Sequence, residues 1–110
     1  MKMEAQYDIK GQEFSEEHRE YVCKRLDGDN RFECILRSER KDTAYHVADS
    51  GVVVMVYSEA ARFPCDKDIF AHIGIIGKEE SFGSTKAMLE QILGFQLDLK
   101  MKLNNGVALK

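Results

Sequence analysis

The chain of 110 residues is 44% hydrophobic and 32% charged, and its net charge is -3 at pH 7. This length predicts a single domain over residues 1–110, and the composition excludes a fibre or a disordered tail. The acidic balance disfavours nucleic acid as a partner. No apolar stretch approaches the roughly 20 residues of a membrane helix, and the first residues do not lead into a signal peptide, so we expect a cytoplasmic protein that does not enter a membrane.

The three cysteines, Cys23, Cys34 and Cys65, form no CxxC pair. An odd number of cysteines without paired spacing argues against a disulfide framework and against a zinc ribbon. The sequence therefore predicts a reducing compartment, no cofactor and no metal centre.

The first two predicted elements are a strand and a helix. Apolar and polar residues alternate over residues 1–10, which is the period of a strand with one buried face. Ser15 is placed to cap a helix that runs to about Leu26, and acidic residues follow it at the positive end of the helix dipole. Gly28 stands where a left-handed residue would end this helix.

Three strands are predicted next, at residues 31–38, 43–48 and 52–57, and they form an antiparallel meander. The turn Asp49-Ser50-Gly51 joins the last two. Because residues 52–57 are apolar at every position, this strand is expected to be the central one and to be covered on both faces.

The second half of the chain is less regular. Residues 58–64 predict either the end of a strand or a helical turn that stops before Pro64, and residues 65–68 predict a polar loop. Residues 69–76 are interpreted as a buried strand, although their pattern also permits a helix. A second helix starts at Ser84 or Thr85 and ends at Gly94. Alternation over residues 95–103 predicts an edge strand, and residues 107–109 either add a short strand or fray.

This order, β-α-β-β-β-β-α-β, predicts an α+β domain with a mainly antiparallel sheet and two helices packed on one face. The two helices are expected to cover the central strand.

Residues 78–86 contain the strongest candidate for a ligand site. Lys78, Ser84, Thr85 and Lys86 surround the predicted start of the second helix, where unpaired N–H groups and the helix dipole attract a phosphate or carboxylate. The preceding glycines fail the phosphate-loop pattern, because only two residues separate them and an acidic residue follows the lysine. A capped helix after a glycine-bounded strand is the simpler interpretation.

Two pairs of residues have the types needed for thiol or metal chemistry. Cys65 and His72 would form a nucleophile and base if they converged, but the aspartates beside Cys65 disfavour its thiolate. His46 and His72 would flank the central strand, although no local spacing supports a zinc site. We therefore predict no catalytic residue and no metal ligand.

The first functional hypothesis is a non-enzymatic cytoplasmic module that binds a partner protein and occludes or scaffolds it, as immunity proteins, antitoxins and inhibitors of this size do. The first helix and its end carry acidic residues that would attract a partner with a basic surface. These predicted partner-binding residues are Glu13, Glu16, Glu17, Glu20, Asp27 and Asp29.

The second hypothesis is a small-ligand or anion-binding domain, or a small enzyme, that uses residues 78–86. The sequence contains no convincing reactive constellation, which favours the first hypothesis over this one. A homodimer formed through the edge of the strand that ends at Leu103 is compatible with either.

Overall fold

The computed structural model describes residues 3–39, 42–63, 66–104 and 107–109, with the backbone alone at 58–63, 66–70, 104 and 107–109. The elements are β1 (Met3–Ile9), α1 (Glu16–Asp27), β2 (Phe32–Arg37), β3 (Thr43–Val47), β4 (Val53–Phe63), β5 (Asp66–Gly77), a short 3-10 turn (Glu79–Ser81), α2 (Phe82–Leu93), β6 (Leu97–Asn104) and β7 (Val107–Leu109). The predicted α+β class and the order of strands and helices are confirmed, and residues 107–109 add a terminal strand.

The strands form one antiparallel sheet in the order β2-β3-β4-β5-β1-β6-β7. Two predicted positions are wrong. β5, not the strand at 52–57, is central, because β1 pairs with its other side and places three strands on each side of it. β6 is not an edge strand, since it pairs with β1 on one side and β7 on the other. In the part of the chain that the structure describes, the free edges belong to β2 and β7.

Both helices pack on the same face of the sheet, as predicted. The Tyr21 hydroxyl of α1 donates to the Leu93 carbonyl of α2 at 2.6 Å, and Arg25 Nε donates to the Ile92 carbonyl at 3.1 Å. Arg25 thereby places positive charge at the negative end of α2. The helices and the sheet enclose one hydrophobic core, which includes Ala5, Tyr7, Ile9, Val22, Leu26, Tyr45, Val52, Val54, Val56, Ile73, Ile75, Leu89 and Leu93.

The ends of the helices follow local chemistry. Ser15 caps α1 as predicted, because its Oγ accepts from the His18 N–H at 3.2 Å while His18 Nδ1 accepts from the Ser15 N–H at 3.1 Å. The left-handed cap predicted for Gly28 is wrong, since its φ is -85°. Gly94 does end α2 in the left-handed conformation, at φ 80°. α2 begins at Phe82 rather than at Ser84, because the 3-10 turn leads directly into it.

The hairpin of β4 and β5 is longer than the sequence predicts. β4 continues to Phe63, where a helical turn was the alternative, and β5 begins at Asp66, inside the expected polar loop. Residues 69–76 lie in a strand, which excludes the helix. Each strand supplies hydrogen-bond partners to the backbone of the other, and this pairing overrides the weak strand propensity of the polar residues.

Candidate functional site

The face of the sheet opposite the helices, which we call the open face, carries an unusual number of apolar side chains. Val52, Val54 and Val56 are fully buried beneath the helices. Val53 and Met55 alternate with them, lie on the open face and are only half-buried. The prediction that this strand is covered on both faces is therefore wrong, because the helices cover only one of them.

Strand register places the residues of the open face in rows, because side chains opposite each other on paired strands point to the same face. One row runs across six strands as Leu36, Ala44, Met55, Gly74, Gln6 and Met101. The next row runs as Glu33, His46, Val53, Ile76, Glu4 and Leu103. The open face thus has an apolar floor with Glu4 and Gln6 within it.

A bulge in β6 brings two of these apolar side chains to the open face. Tyr7 pairs with Leu99 while Gln6 pairs with Met101, so Lys100 has no partner across the strand pair. One extra residue inverts the alternation that follows it. The predicted single apolar face of β6 is therefore wrong, since Leu97 and Leu99 lie on the helix side while Met101 and Leu103 lie on the open face.

The polar residues of the open face are bonded to each other around Gly74. The Tyr57 hydroxyl donates to Glu4 Oε1 at 2.9 Å, and the Gln6 amide nitrogen donates to Glu4 Oε2. A Cβ added at Gly74 would lie 3.2 Å from Glu4 Oε1 and 3.3 Å from the Tyr57 ring, so a larger residue would require these side chains to shift by a few tenths of an ångström. Burial, followed by the nearby charge of Glu4, raises the pKa of Tyr57.

Gln6 is incompletely satisfied. Its side chain is 2% exposed, and its Oε1 is the one buried side-chain oxygen or nitrogen without a hydrogen-bond partner among the residues whose side chains are described. An unsatisfied buried acceptor costs about 1–3 kcal/mol. Because no donor reaches Gln6 Oε1, the cluster of Glu4, Gln6 and Tyr57 has more acceptors than donors.

His72 lies beside this cluster but is engaged elsewhere. Its Nδ1 is 3.3 Å from Asp8 Oδ2, and the Phe14 ring stacks on the imidazole with centroids 4.4 Å apart. His46 lies two strands and two rows away on the same face, roughly 15 Å from His72 by strand spacing. The two histidines therefore do not converge, and Cys65 lies outside the described residues.

The open face continues to the free edge at β2. Leu36 and the bulge residue Ile35 are 49% and 53% exposed, although both are large and apolar. Isolated exposed apolar residues are ordinary, but two adjacent ones on a terminal strand beside an apolar floor form a continuous patch. This patch is the surface most suited to contact with another molecule.

The six acidic residues predicted to bind a partner divide into two groups. Glu13, Glu17 and Glu20 are exposed, as is Glu16, which pairs with Arg19. Asp27 and Asp29 serve the fold: Arg37 donates to Asp27 at 2.9 Å and Arg31 donates to Asp29 at 2.7 Å.

The four predicted ligand-binding residues do not surround a single anion-binding site. Lys78 is exposed before the 3-10 turn, and the Ser84 hydroxyl donates to the Ser81 carbonyl at 3.1 Å. Thr85 is 4% exposed, and Lys86 pairs with Glu90 at 3.4 Å. The Ser81 and Phe82 N–H groups donate to carbonyls of the 3-10 turn and of Lys78, so they are not available to an anion.

A basic groove, which sequence reasoning missed, lies between the C-terminal ends of the two helices. It encloses about 660 Å³ and is lined by Tyr21, Lys24, Arg25, Gly28, Asp29, Arg31, Gln91 and Ile92. Three cations and one carboxylate line it, although the whole chain is acidic. Lys24 and Arg25 are adjacent near the end of α1, and Arg31 follows beyond that end, so only the fold brings Arg31 to the other two.

Glu4, Gln6 and Tyr57 are not recognisable as a cluster from sequence, because the alternation in β1 predicts that Glu4 and Gln6 face solvent. The signal that could have found them was the apolar run of 52–57, whose second face needs a cover that two helices on one side do not provide.

Neither described helix is long and apolar enough to span a membrane. The described residues contain no group of three or more histidine, cysteine and acidic side chains that could hold a metal. Comparison with protein families, curated proteins and solved structures found no significant match to the chain.

Proposed function

We propose that this chain is a non-enzymatic module that binds a partner protein through the open face of its sheet and the adjoining edge at β2. The observation that carries the proposal is the apolar surface left after both helices have packed on the other face. Val53, Met55 and Ile76 are half-buried there, and Leu36 extends the surface to the edge. Contiguous exposed apolar surface of this kind is typical of protein interfaces.

Two kinds of contact support binding at this site. A partner gains free energy when it covers the half-exposed side chains, at about 25 cal/mol for each Å² of apolar area removed from water. A partner segment in extended conformation also finds unpaired backbone groups along β2. Glu33 and Arg37 flank the exposed pair Ile35 and Leu36. They restrict which partner segments can pair with β2, because like charges opposite each other on paired strands repel.

The exposed acids of α1 have a different part in this proposal. Glu17 and Glu20 lie on the solvent-exposed side of the helix and Glu13 lies just before it, where charge affects the association rate more than the affinity. A partner with a basic surface would be attracted by them at low ionic strength. The final complex would be held at the open face, and its function would be to occlude or scaffold the partner, as an immunity protein, antitoxin or inhibitor does.

The test compares capture of proteins from source-cell lysate by four forms of the chain. One form carries Ile35→Lys and Leu36→Lys, which place charge at the exposed edge. Its matched control carries Leu99→Lys, a residue that is 46% exposed but on the helix side of the sheet. A third form carries lysine at Glu13, Glu16, Glu17 and Glu20, and the fourth is the native chain.

We expect one stoichiometric partner that the native chain and the Leu99→Lys control retain and that the edge variant loses. Circular dichroism must show that all forms are folded. Equal capture by the edge variant and its control would refute the proposed surface. Loss of the partner in the helix variant alone would place the contact on α1 instead.

A second candidate function is anion binding in the basic groove. It is favoured by Arg25, whose Nε is held on the Ile92 carbonyl at 3.1 Å, so that its guanidinium charge lies in the groove. Lys24 lies beside it in the same groove. Titration with phenyl phosphate, followed by NMR, should move groove resonances in the native chain and not in the Arg25→Gln form if this function holds.

A further inference from the structure

We infer that Glu4, on the open face, is a subsite for a cationic group, an alkylammonium or guanidinium such as a lysine or arginine side chain supplies. As a statement about the partner, this rests on the proposed function and names the chemistry that the open face recognises. As a statement about a binding site, it rests on the charge and hydrogen bonds of Glu4, Gln6 and Tyr57.

The first step of the argument is the missing counter-charge. The Glu4 carboxylate is half-buried, and the partners that reach it are neutral: the Tyr57 hydroxyl at 2.9 Å and the Gln6 amide. No lysine or arginine of the described part of the chain forms an ion pair with it, and His72 is engaged with Asp8. A partly buried carboxylate without a cation pays desolvation without full compensation, which a bound cation would supply.

The second step is the unpaired acceptor beside it. The two polar atoms of an amide share one carbon, so Gln6 Oε1 lies close to the carboxylate that Gln6 Nε2 contacts. Ammonium and guanidinium groups carry several donors and no acceptor. One such group can therefore pair with Glu4 and bring a donor to Gln6 Oε1, whereas an anion or a carbonyl would add to the excess of acceptors.

The third step is the surrounding surface. In the row of Glu4 the neighbouring side chains are Ile76 and Leu103, and in the row of Gln6 they are Gly74 and Met101. All three large side chains are half-buried. They would cover the aliphatic stem of a lysine or arginine and exclude water from the ion pair, while Gly74 leaves room for the Glu4 and Tyr57 side chains over the strand. Arginine is among the residues enriched at interface hot spots, which are surrounded by contacts that exclude water.

The test titrates the full-length chain with n-butylammonium and n-butylguanidinium and follows the Gln6 side-chain amide by NMR. The neutral control probe is n-butanol, which has the same apolar chain. We expect saturable shifts with the two cations, weakened by added salt, and no saturable shift with n-butanol. The Glu4→Gln form keeps the shape of the side chain but removes its charge, and we expect affinity to fall about tenfold or more. The matched control is Glu80→Gln, an exposed carboxylate in the 3-10 turn outside the sheet, which should bind as the native chain does.

The outcomes separate this inference from the proposed function. Absence of saturable shifts in the native chain, or equal binding of n-butanol, overturns the cation subsite, and this result needs no variant to fold. If the edge variant loses the partner while the Glu4→Gln form retains it, the proposed function is supported and Glu4 is not a contact for the partner. If the cations bind at Glu4 while the edge variant still captures the partner, the subsite stands and the proposed binding surface falls.

Discussion

Tyr45 of β3 donates a hydrogen bond to Asp27 of α1 at 2.9 Å, and the same carboxylate oxygen accepts from Arg37 of β2 at 2.9 Å. The Tyr45 side chain is fully buried, so its hydroxyl needs an acceptor, and Asp27 is nearer than the Cys23 carbonyl, which lies at 3.3 Å. Asp27 thus joins the end of α1 to both strands at the β2 edge of the sheet. Asp27, which the sequence predicts to be a partner-binding residue, therefore contributes to the fold.

The first prediction concerns this joint. Tyr45→Phe keeps the ring and should lower the free energy of unfolding by about 1 kcal/mol, because one hydrogen bond is lost. Asp27→Ala should also destabilise, since it leaves both the hydroxyl and Arg37 without the carboxylate. Urea denaturation of the two single variants and the double variant measures the coupling, which should exceed about 0.5 kcal/mol. Strictly additive effects would contradict a direct bond.

The second prediction concerns the glycine beneath the open-face cluster. Gly74→Ala should destabilise by about 1–3 kcal/mol, because its Cβ would press on Glu4 and on the Tyr57 ring. The matched control is Gly83→Ala in α2, where a Cβ meets nothing within 4 Å and the better helix former should stabilise by about 0.5–1 kcal/mol. Thermal or urea unfolding should therefore give opposite signs for the two substitutions, and equal signs would count against the packing described over Gly74.

The third prediction is a pH dependence at Tyr57. Burial and the charge of Glu4 raise the pKa of Tyr57 above the ordinary value of 10.0. The unfolded chain therefore loses this proton first, so the contribution of Tyr57 to stability is complete below pH 10 and declines as the pH rises beyond it. Tyr57→Phe should cost about 1 kcal/mol at pH 7. The difference between native and variant should shrink when urea unfolding is repeated at pH 11, and a constant difference would contradict the raised pKa.

The fourth prediction is a pH dependence at Asp29. Hydrogen bonds from the Arg31 side chain, and then from its backbone N–H, lower the pKa of Asp29 from 3.8 to about 2. A lowered pKa contributes stability that is present above the unfolded value and is lost as the pH falls from about 4 towards 2. Because the pair is open to solvent, Asp29→Asn should cost less than about 1 kcal/mol at pH 7, and less still in high salt. Unfolding at pH 7 and pH 2 should show the cost disappear at the lower pH.

The sequence determined the elements that depend on local pattern. Ser15 and Gly94 mark helix ends because capping uses groups within a few residues. The apolar runs at 52–57 and 69–76 become strands, and the α+β class follows from their order. The helical spacing of Met88, Leu89, Ile92 and Leu93 predicts the apolar side of α2; the last three are buried and Met88 packs partly buried against the core.

Tertiary structure decided what depends on strand pairing and on residues distant in the chain. β1 pairs with β5 and β6, which makes β5 central and removes β6 from the edge. The bulge at Lys100 depends on register with β1, so alternation alone could not place Met101 and Leu103 on the open face. Glu4 and Tyr57 are 53 positions apart and meet only because β4 and β1 flank β5. The open face exists because both helices pack on one side of the sheet, and no short window of sequence specifies that packing.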